Sequence, residues 1–390
     1  MKNRKNLLIV LSALIVGLAL ASCQNPFLQL GSVSSQAGLP QGASPSVAPP
    51  PIEDGSALYP FLVYDVATLK RVGTEDPGPA AWDLYKHYLQ IQDIDMGGED
   101  NWIPIGKFTG QFIGTYNGGG HAISNLYCKH DSEPGELFHY NKVGLFSFID
   151  SCAEVKNLRL INAYIQGENG VGGIAGENWG SIYNCFFSGS VIAKTKNSAF
   201  NGQYCGGITG WNDGTIERCY SEGDVSATSD NVGGIVGFNR GGAVKNCYSA
   251  SDCSAGDVYV GGIVGYSSSI LRNCYATGTV SGKRNIGGIA GGISTMLPIY
   301  SDVQVRNCVA LNQGVSCTIS DAFRVGKHYL ASIVSNNYAD EDMPVNGGTV
   351  SGGMSDNDDG EDIDSLQFGS ETWWTLDADW EGEGWDFATV

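Results

Sequence analysis

The sequence lacks the short motifs that mark many enzyme active sites. It contains no His-Glu-x-x-His, no Gly-x-x-x-x-Gly-Lys, no Gly-x-Ser-x-Gly and no Cys-x-x-Cys. The histidines show no spacing of metal ligands: His87, His121, His130, His139 and His328. Although His121 and His130 lie near Cys128, we interpret them as ordinary structural residues. We therefore expect no catalytic residues, no metal and no other cofactor.

Basic residues are also scarce. The chain has 22 Lys and Arg against 41 Asp and Glu, and its formal net charge is −19. This balance, without any basic cluster, argues against a nucleic-acid partner. The region from Asp340 to Asp386 holds 15 acidic residues and no Lys or Arg. Its Asp356–Asp362 stretch lacks the bidentate Glu of an EF-hand loop, so we interpret it as a solvated acidic loop rather than a calcium site.

Apolar residues at helical spacing are missing from the middle of the chain, which repeats a glycine doublet instead. The doublets are separated by 34, 27, 28 and 26 residues: Gly172-Gly173, Gly206-Gly207, Gly233-Gly234, Gly261-Gly262 and Gly287-Gly288. A second pattern keeps step with them: an aliphatic residue, any residue, Asn or Arg, then Cys or Leu. One rung of short strands cannot bury its apolar side chains alone, so the rungs must stack. We predict an all-β fold, a right-handed parallel β-helix (β-solenoid) with a short N-terminal α/β cap and a C-terminal cap.

The second pattern also predicts a corner. Its aliphatic residue and its Cys are three positions apart, so both point inward only if the strand bends between them. Asn tolerates the positive φ of such a bend. We therefore predict a stacked column of corner asparagines: Asn125, Asn157, Asn184, Asn246, Asn273, Asn307 and Asn336.

The residue after each Cys must then face outward. These positions predict an aromatic ribbon of Phe186, Tyr220, Tyr248 and Tyr275, continued by Val309 and Tyr338. A ribbon of this kind can accept sugar rings or an apolar partner, and we predict that it binds glycan or a surface protein. The alternative is that the stacked rings only stabilise adjacent rungs, as cross-strand pairs do.

The cysteines of the repeat replace leucine. Leu126 and Leu158 hold this position in the first rungs, and cysteines hold it in the later ones: Cys185, Cys219, Cys247, Cys274 and Cys308. In-register side chains of neighbouring rungs point in parallel, which does not favour disulfide geometry. We predict mostly free, buried thiols.

The N-terminus has the features of an export signal. Basic residues precede an apolar run from Leu7 to Leu20, which is too short for a comfortable membrane span. The following Leu20-Ala21-Ser22-Cys23 resembles the lipobox of bacterial lipoproteins. That resemblance implies lipidation of Cys23, export, and attachment to a membrane at the bacterial outer membrane or cell surface. An ordinary cleaved signal with a chance Cys is the alternative.

Composition divides the chain into five parts. We predict a signal peptide (1–23), a Pro-, Ser- and Gly-rich tether (24–56), an N-terminal cap (57–107), the repeats (108–338) and an acidic, Trp-rich C-terminal segment (339–390). The last segment contains four tryptophans, which favours a folded cap over a disordered tail: Trp373, Trp374, Trp380 and Trp385.

Several motifs resemble GLUG-repeat surface proteins. The entry segment contains Asp93-Ile94-Asp95 and Trp102-Ile103-Pro104-Ile105-Gly106, and the repeats contain Val-Gly-Gly-Ile-Val-Gly and Asn-Cys-Tyr steps. The resemblance covers roughly residues 57–340. It implies a bacterial cell-surface β-helix, similar to adhesin repeats and to repeats beside some IgA-cleaving metallopeptidases. It implies no reaction, because the family describes a scaffold.

Three functions are compatible with these features. The first is a non-enzymatic surface protein that binds glycan or a surface protein through the ribbon. The second is a polysaccharide-active β-helix enzyme, for which Asp93, Asp95 and Asp213 are the candidate carboxylates. The third is a structural spacer without a ligand. The lack of a catalytic set favours the first.

Overall fold

The computed structural model describes residues 53–107, 110–130, 142–194, 203–295, 303–329, 332–370 and 372–377. The chain from Glu53 onward forms one compact unit. The predicted signal peptide, Cys23 and residues 24–52 of the tether lie outside the described residues. No helix within the described ranges is long and apolar enough to cross a membrane.

Each turn of the chain passes through four sheets, which we number in the order in which a rung meets them. The described strands of sheet 1 are Val171–Gly172, Cys205–Gly206, Val232–Gly233, Val258–Gly261, Arg284–Gly287 and Ala322–Phe323. Those of sheet 2 are Phe146–Ile149, Ala175–Asn178, Thr209–Asn212, Val236–Asn239, Val264–Ser267, Ala290–Ile293 and Lys327–His328.

Sheets 3 and 4 complete the rung. The described strands of sheet 3 are Phe61–Val63, His87–Gln90, Thr115–Asn117, Glu154–Lys156, Ser181–Tyr183, Thr215–Glu217, Ala243–Lys245, Ile270–Arg272, Val303–Arg306 and Ser332–Ser335. Those of sheet 4 are Ile94–Asp95, Ala122–Ser124, Tyr127–Lys129, Arg159–Gly167, Phe186–Ala193, Tyr220–Ala227, Tyr248–Ala255, Tyr275–Ala276, Val280–Gly282, Val309–Ala310, Val315–Cys317, Tyr338–Asp340, Pro344–Val345, Gly348–Thr349 and Glu361–Ile363.

Parallel pairing between successive rungs confirms the predicted all-β solenoid. For example, Ile182 pairs with Ile216, and Ile216 pairs with Val244, in parallel register. The hairpin of Pro344–Val345 with Gly348–Thr349 is antiparallel. The apolar side chains between the sheets form one continuous buried core. The right-handed sense of the coil stays a prediction from the crossover rule.

The corner asparagines adopt the predicted conformation. All seven have φ between 50° and 58°, and Arg218, with φ 55°, takes this place in the rung that lacks the Asn. Their amides form a ladder, because Asn184 Nδ2 donates to Asn157 Oδ1 at 2.8 Å and Asn336 Nδ2 donates to Asn307 Oδ1 at 2.9 Å. The corner between sheets 3 and 4 is therefore fixed by left-handed backbone and by side-chain hydrogen bonds.

The glycine doublets lie where sheet 1 leads into sheet 2, and their role is close backbone approach. A Cβ atom on Gly206 would overlap the carbonyl oxygen of Thr209, and one on Gly207 would overlap that of Gly234. The first glycine of each doublet does not have positive φ. Glycine is required here for space between rungs rather than for an unusual conformation.

The repeat cysteines are free thiols, as predicted. All five are at most 2% exposed. Each thiol donates to the carbonyl oxygen two residues before it, for example Cys274 to Arg272 at 3.2 Å. Burial raises the pKa of the Cys185 and Cys274 thiols well above the ordinary value, so they stay protonated at neutral pH. They act as small core residues.

A second polar ladder lies inside the solenoid. Asn178 Nδ2 donates to Asn212 Oδ1 at 2.8 Å, Asn212 Nδ2 donates to Asn239 Oδ1 at 2.9 Å, and Asn239 Nδ2 donates to Ser267 Oγ at 3.3 Å. All four side chains are fully buried. They end the strands of sheet 2, where the chain turns toward sheet 3. The ladder pairs the amides of Asn178, Asn212 and Asn239 inside the core, where unpaired polar groups are costly. The Asn178 Oδ1 atom, at its first rung, has no hydrogen-bond partner among the described residues.

Short helices accompany the two ends of the solenoid. Near the N-terminus, Asp65 caps the helix Val66–Arg71 and accepts a hydrogen bond from Thr68 N at 2.8 Å. The strands before and after this helix, Phe61–Val63 and His87–Gln90, continue sheet 3. Near the C-terminus, Asp364 caps the helix Ser365–Phe368, and a π-helical turn follows at Trp373–Asp377.

The acidic loop at 356–362 contacts the last rung, so the prediction that it is solvated is wrong for two of its carboxylates. Asp362 accepts a hydrogen bond of 2.5 Å from Arg324, whose side chain is fully buried. Asp358 bonds Lys327 Nζ at 2.9 Å and the imidazole of His328. Charge pairing with the only basic groups nearby in the sequence therefore draws part of the loop onto the solenoid.

Candidate binding surface

Sheet 4 builds the predicted aromatic ribbon. Its strands are in register, so Phe186, Tyr220, Tyr248 and Tyr275 are direct neighbours from rung to rung. The ring centroids are 5.0, 4.6 and 4.1 Å apart, and the angles between successive ring planes are 26°, 3° and 15°. The four rings form one continuous stack on the outside of the solenoid.

Only part of the ribbon is open to solvent. Phe186, Tyr220 and Tyr248 are half-buried, whereas Tyr275 is 5% exposed. The ring of Trp374 lies over Tyr275, with centroids 5.7 Å apart. Tyr275 is therefore a ribbon residue that the C-terminal segment covers, and the sequence-based expectation that it is accessible is wrong.

The two residues that continue the ribbon beyond Tyr275 are also buried. Val309 is fully buried and Tyr338 is 7% exposed. The Trp373 ring meets the Tyr338 ring edge-on at 5.0 Å. The Trp-rich sequence predicted a folded segment, but not that Trp373 and Trp374 contact the ribbon. Trp380 and Trp385 lie outside the described residues.

A groove of about 540 Å³ runs beside the open rings. Its lining residues follow the ribbon residues along the same strands: Asn162, Ser188, Gly189, Glu222, Gly223, Asp224, Ala250 and Asp252. The groove lies where the strands are kinked, because φ is 53° at Asn162, 140° at Gly189 and 108° at Gly223. The pairing register also shifts between Phe187 and Gly189, as in a β-bulge.

The groove is rich in hydrogen-bond acceptors. The Tyr220 hydroxyl donates to Glu222 Oε2 at 2.7 Å, and burial followed by this bond raises the pKa of Tyr220. Asp224 and Asp252 are exposed and directly opposite each other in neighbouring rungs. Asp252 Oδ1 accepts hydrogen bonds from Thr279 N at 2.8 Å and Thr279 Oγ1 at 2.6 Å. Free carboxylate oxygens thus face solvent beside a flat aromatic surface.

This combination suits a ligand with a flat apolar face and polar edges. The rings offer stacking surface, and the carboxylates accept hydrogen bonds from hydroxyl groups. At the N-terminal end of the ribbon, the Arg159 guanidinium lies 5.9 Å from the Phe186 ring centroid. Sugars have both properties, because pyranose C–H groups form an apolar face and the hydroxyl groups form the rim.

The carboxylates considered for catalysis are already engaged elsewhere. A hydrogen bond from Ala122 N lowers the pKa of Asp93, and one from the Asn125 amide lowers that of Asp95. Asp213 accepts two hydrogen bonds from Arg240, at 2.9 and 2.5 Å. A carboxyl with a lowered pKa is ionised at neutral pH and is a poor general acid.

The histidines near Cys128 do not come together with its thiol. His121 pairs with Asp93 at 3.4 Å, and His130 Nε2 contacts the Trp102 carbonyl oxygen at 2.7 Å. The Cys128 side chain is fully buried and faces the Gly144 carbonyl oxygen. Within the described part of the chain, no group of three His, Cys, Asp or Glu side chains could hold a metal ion.

Sequence analysis missed a second aromatic surface on the outside of sheet 2. Trp211 and Phe238 have ring centroids 5.3 Å apart, and Phe238 and Tyr266 have centroids 5.8 Å apart. The sequence contains a pattern that predicts this aromatic surface, since each of the three residues lies five positions after the first glycine of its doublet. The charged side chains beside these rings form ion pairs, since Lys142 pairs with Glu177 at 2.5 Å and Arg240 pairs with Asp213. This surface offers fewer free polar groups than the ribbon groove.

Comparisons with known proteins agree with this architecture. The family model described as the GLUG motif matches residues 167–192 and 256–281. Halomucin from Haloquadratum walsbyi is 29% identical over 149 residues, which are 35% of this chain and 2% of halomucin. The chain therefore spans only a small part of that relative.

A solved structure shows a similar fold. It is a Bacteroides ovatus protein described as a "putative immunoglobulin A1 protease", with a TM-score of 0.55 and 21% sequence identity. The match covers 81% of this chain and 87% of that one. At this identity the likeness extends to the fold alone. Together with the two motif matches and the rungs described above, it shows that this chain is a β-solenoid protein that contains GLUG repeats.

Proposed function

We propose that this protein is an exported bacterial lipoprotein that binds glycan through the open part of the ribbon, without catalysis. One observation carries the proposal: three stacked, half-exposed rings border a groove lined by three carboxylates. Phe186, Tyr220 and Tyr248 provide the stacking face, while Glu222, Asp224 and Asp252 provide the polar edge.

Several observations support binding over a purely structural role of the stack. Rings that only stabilise neighbouring rungs need no groove beside them. Here the strands kink at Gly189 and Gly223, and these kinks form the groove next to the rings. Asp224 and Asp252 face each other across adjacent strands, an arrangement that costs stability and suggests a use outside the fold.

The groove also indicates which glycans fit. Its carboxylates and the net charge of −19 repel polyanions such as sulfated chains. Neutral or N-acetylated chains avoid this repulsion, and their hydroxyl groups donate to the carboxylates. The suitable test panel is therefore cellulose, xylan, mannan and chitin oligomers of two and six sugar units.

Replacing two ribbon tyrosines is expected to weaken binding strongly. In the Tyr220→Ala/Tyr248→Ala variant, the central stacking surface is lost, and we expect affinity for the best hexasaccharide to fall at least about 30-fold. The measurement uses the chain from Glu53 onward, on a glycan array with matrix proteins and then by titration calorimetry.

A matched control removes two exposed tyrosines outside sheet 4. Tyr59 and Tyr85 are 45% and 57% exposed, and their double alanine variant should bind as the unsubstituted protein does. Equal affinity of the ribbon variant and the control would move the site away from the ribbon. Binding to matrix proteins but to no glycan would replace glycan by a protein ligand.

The anchor is tested by substituting Cys23. We expect the full-length Cys23→Ser variant, expressed in a Gram-negative bacterium, to lose incorporation of an alkyne fatty acid and to leave the membrane pellet. The reason is that one substituted thiol removes every acyl chain attached there. The control variant Cys317→Ser changes a partly exposed thiol in the solenoid. It should still incorporate the fatty acid and remain in the membrane pellet. Continued lipid labelling of Cys23→Ser would contradict the proposed anchor.

A further inference from the structure

The C-terminal segment covers the far end of the same ribbon. We call residues 365–370 and 372–375 the clasp; it contains the helix Ser365–Phe368 and the start of the π-helical turn. Trp373 and Trp374 are 5% and 2% exposed, and their rings meet edge-on at 5.0 Å. Both rings are directed at the aromatic column of sheet 4 rather than at the solenoid interior.

The clasp and the column form their own apolar cluster, separate from the core of the solenoid. Its buried members are Tyr275, Val309, Tyr338, Ile363, Trp373 and Trp374. Tyr248, the last open ring of the ribbon, packs against this cluster. The clasp therefore borders the proposed ligand surface directly, and the stack Tyr248–Tyr275 continues beneath it at 4.1 Å.

The clasp has little structure to support itself. Its helix has four residues and its turn five, and such short helices are marginal without tertiary contacts. Leu366 on the helix is 81% exposed. The Trp374 indole donates within the clasp, to Phe368 O at 2.8 Å. Ring contacts of Trp374 with Tyr275 and of Trp373 with Tyr338 join the clasp to the ribbon, and a competing ring can replace them.

We propose that the clasp is an autoinhibitory strap that competes with the glycan for the end of the ribbon. This inference rests on the proposed glycan binding. With the clasp closed, a ligand reaches Phe186, Tyr220 and Tyr248. With the clasp open, it also reaches Tyr275. The apparent affinity of a long ligand is therefore reduced by the fraction of molecules that are open.

Length dependence separates the clasp from the ribbon itself. We expect Trp373→Ala/Trp374→Ala to bind the best hexasaccharide about tenfold more tightly, since one aromatic ring is freed without competition. The affinity of this variant for the matching disaccharide should not change, because a disaccharide is short enough to bind on Phe186, Tyr220 and Tyr248 alone. Leu366→Ala, in the same segment, is the control and should behave as the unsubstituted chain. All proteins start at Glu53 and are compared by titration calorimetry.

A second measurement avoids the risk that the double variant is misfolded. The unsubstituted chain is labelled with 5-fluorotryptophan, and the ¹⁹F resonances of Trp373 and Trp374 are assigned from single Trp→Phe variants. On saturation with the hexasaccharide, the chemical shifts of both resonances should move toward the values of solvent-exposed tryptophan. Unmoved resonances together with unchanged hexasaccharide affinity of the double variant would overturn the clasp and leave the ribbon site intact. No binding of any panel sugar by any of these proteins would overturn the proposed function and the clasp with it.

Discussion

Replacing Gly233 with alanine is expected to lower the free energy of unfolding by about 4 kcal/mol. A Cβ atom at this position would overlap the carbonyl oxygen of Val236, and it would lie 2.7 Å from Gly265 N and Ile263 O in the next rung. All three are backbone atoms, so no side chain can rotate away. The rungs would have to move apart, which also weakens their hydrogen bonds. Urea unfolding followed by circular dichroism measures the loss.

The matched control places the same methyl group where the chain has room. On Gly78 a Cβ would lie 3.7 Å from the Ala81 Cβ, which is ordinary contact. Gly78→Ala should therefore change the free energy of unfolding by less than about 0.5 kcal/mol. If Gly233→Ala were as mild as Gly78→Ala, close backbone packing would not be the reason for the doublets.

Asn212→Ala is expected to cost about 3 kcal/mol of unfolding free energy. The side chain is fully buried, accepts a hydrogen bond from Asn178, and donates to Asn239 and to Gly214 O. Its removal leaves the Asn178 amide without this acceptor and the Asn239 oxygen without this donor, inside a core that water does not reach. The same urea experiment measures the effect.

Asn101 provides a comparison in which burial is the main difference. Its side chain makes two hydrogen bonds against the three of Asn212, to Lys129 O at 2.7 Å and from Lys129 N at 2.6 Å, but it is exposed. Water can replace these bonds, so Asn101→Ala should cost no more than about 1 kcal/mol. Equal costs at the two positions would show that the internal ladder contributes no more than a surface pair.

Much of the fold followed from local chemistry repeated at a fixed period. Two apolar positions three residues apart required a bend, and Asn is suited to the positive φ of that bend. The structure has this bend at every predicted asparagine, from Asn125 to Asn336. Because rungs stack in register, one correct bend also placed the next residue outside, which is how Phe186, Tyr220 and Tyr248 were predicted.

Other features depended on contacts that a repeat pattern does not contain. Trp374 and Tyr275 are far apart in the chain, and neither residue alone indicates that they meet. The groove arises from kinks at Gly189 and Gly223, which lie outside the two sequence patterns that defined the rungs. The internal ladder does recur in the sequence, because Asn178, Asn212 and Asn239 each stand six positions after the first glycine of a doublet. That spacing alone does not show that the side chains point into the core.

The most direct test of glycan binding at the ribbon is a crystal structure of the chain from Glu53 onward, soaked with the best-binding hexasaccharide of the panel. Glycan binding at the ribbon predicts sugar rings stacked on Tyr220 and Tyr248, with sugar hydroxyl groups within hydrogen-bond distance of Glu222 or Asp224. Sugar bound instead against Trp211 and Tyr266 on sheet 2, with the ribbon empty, would contradict glycan binding at the ribbon.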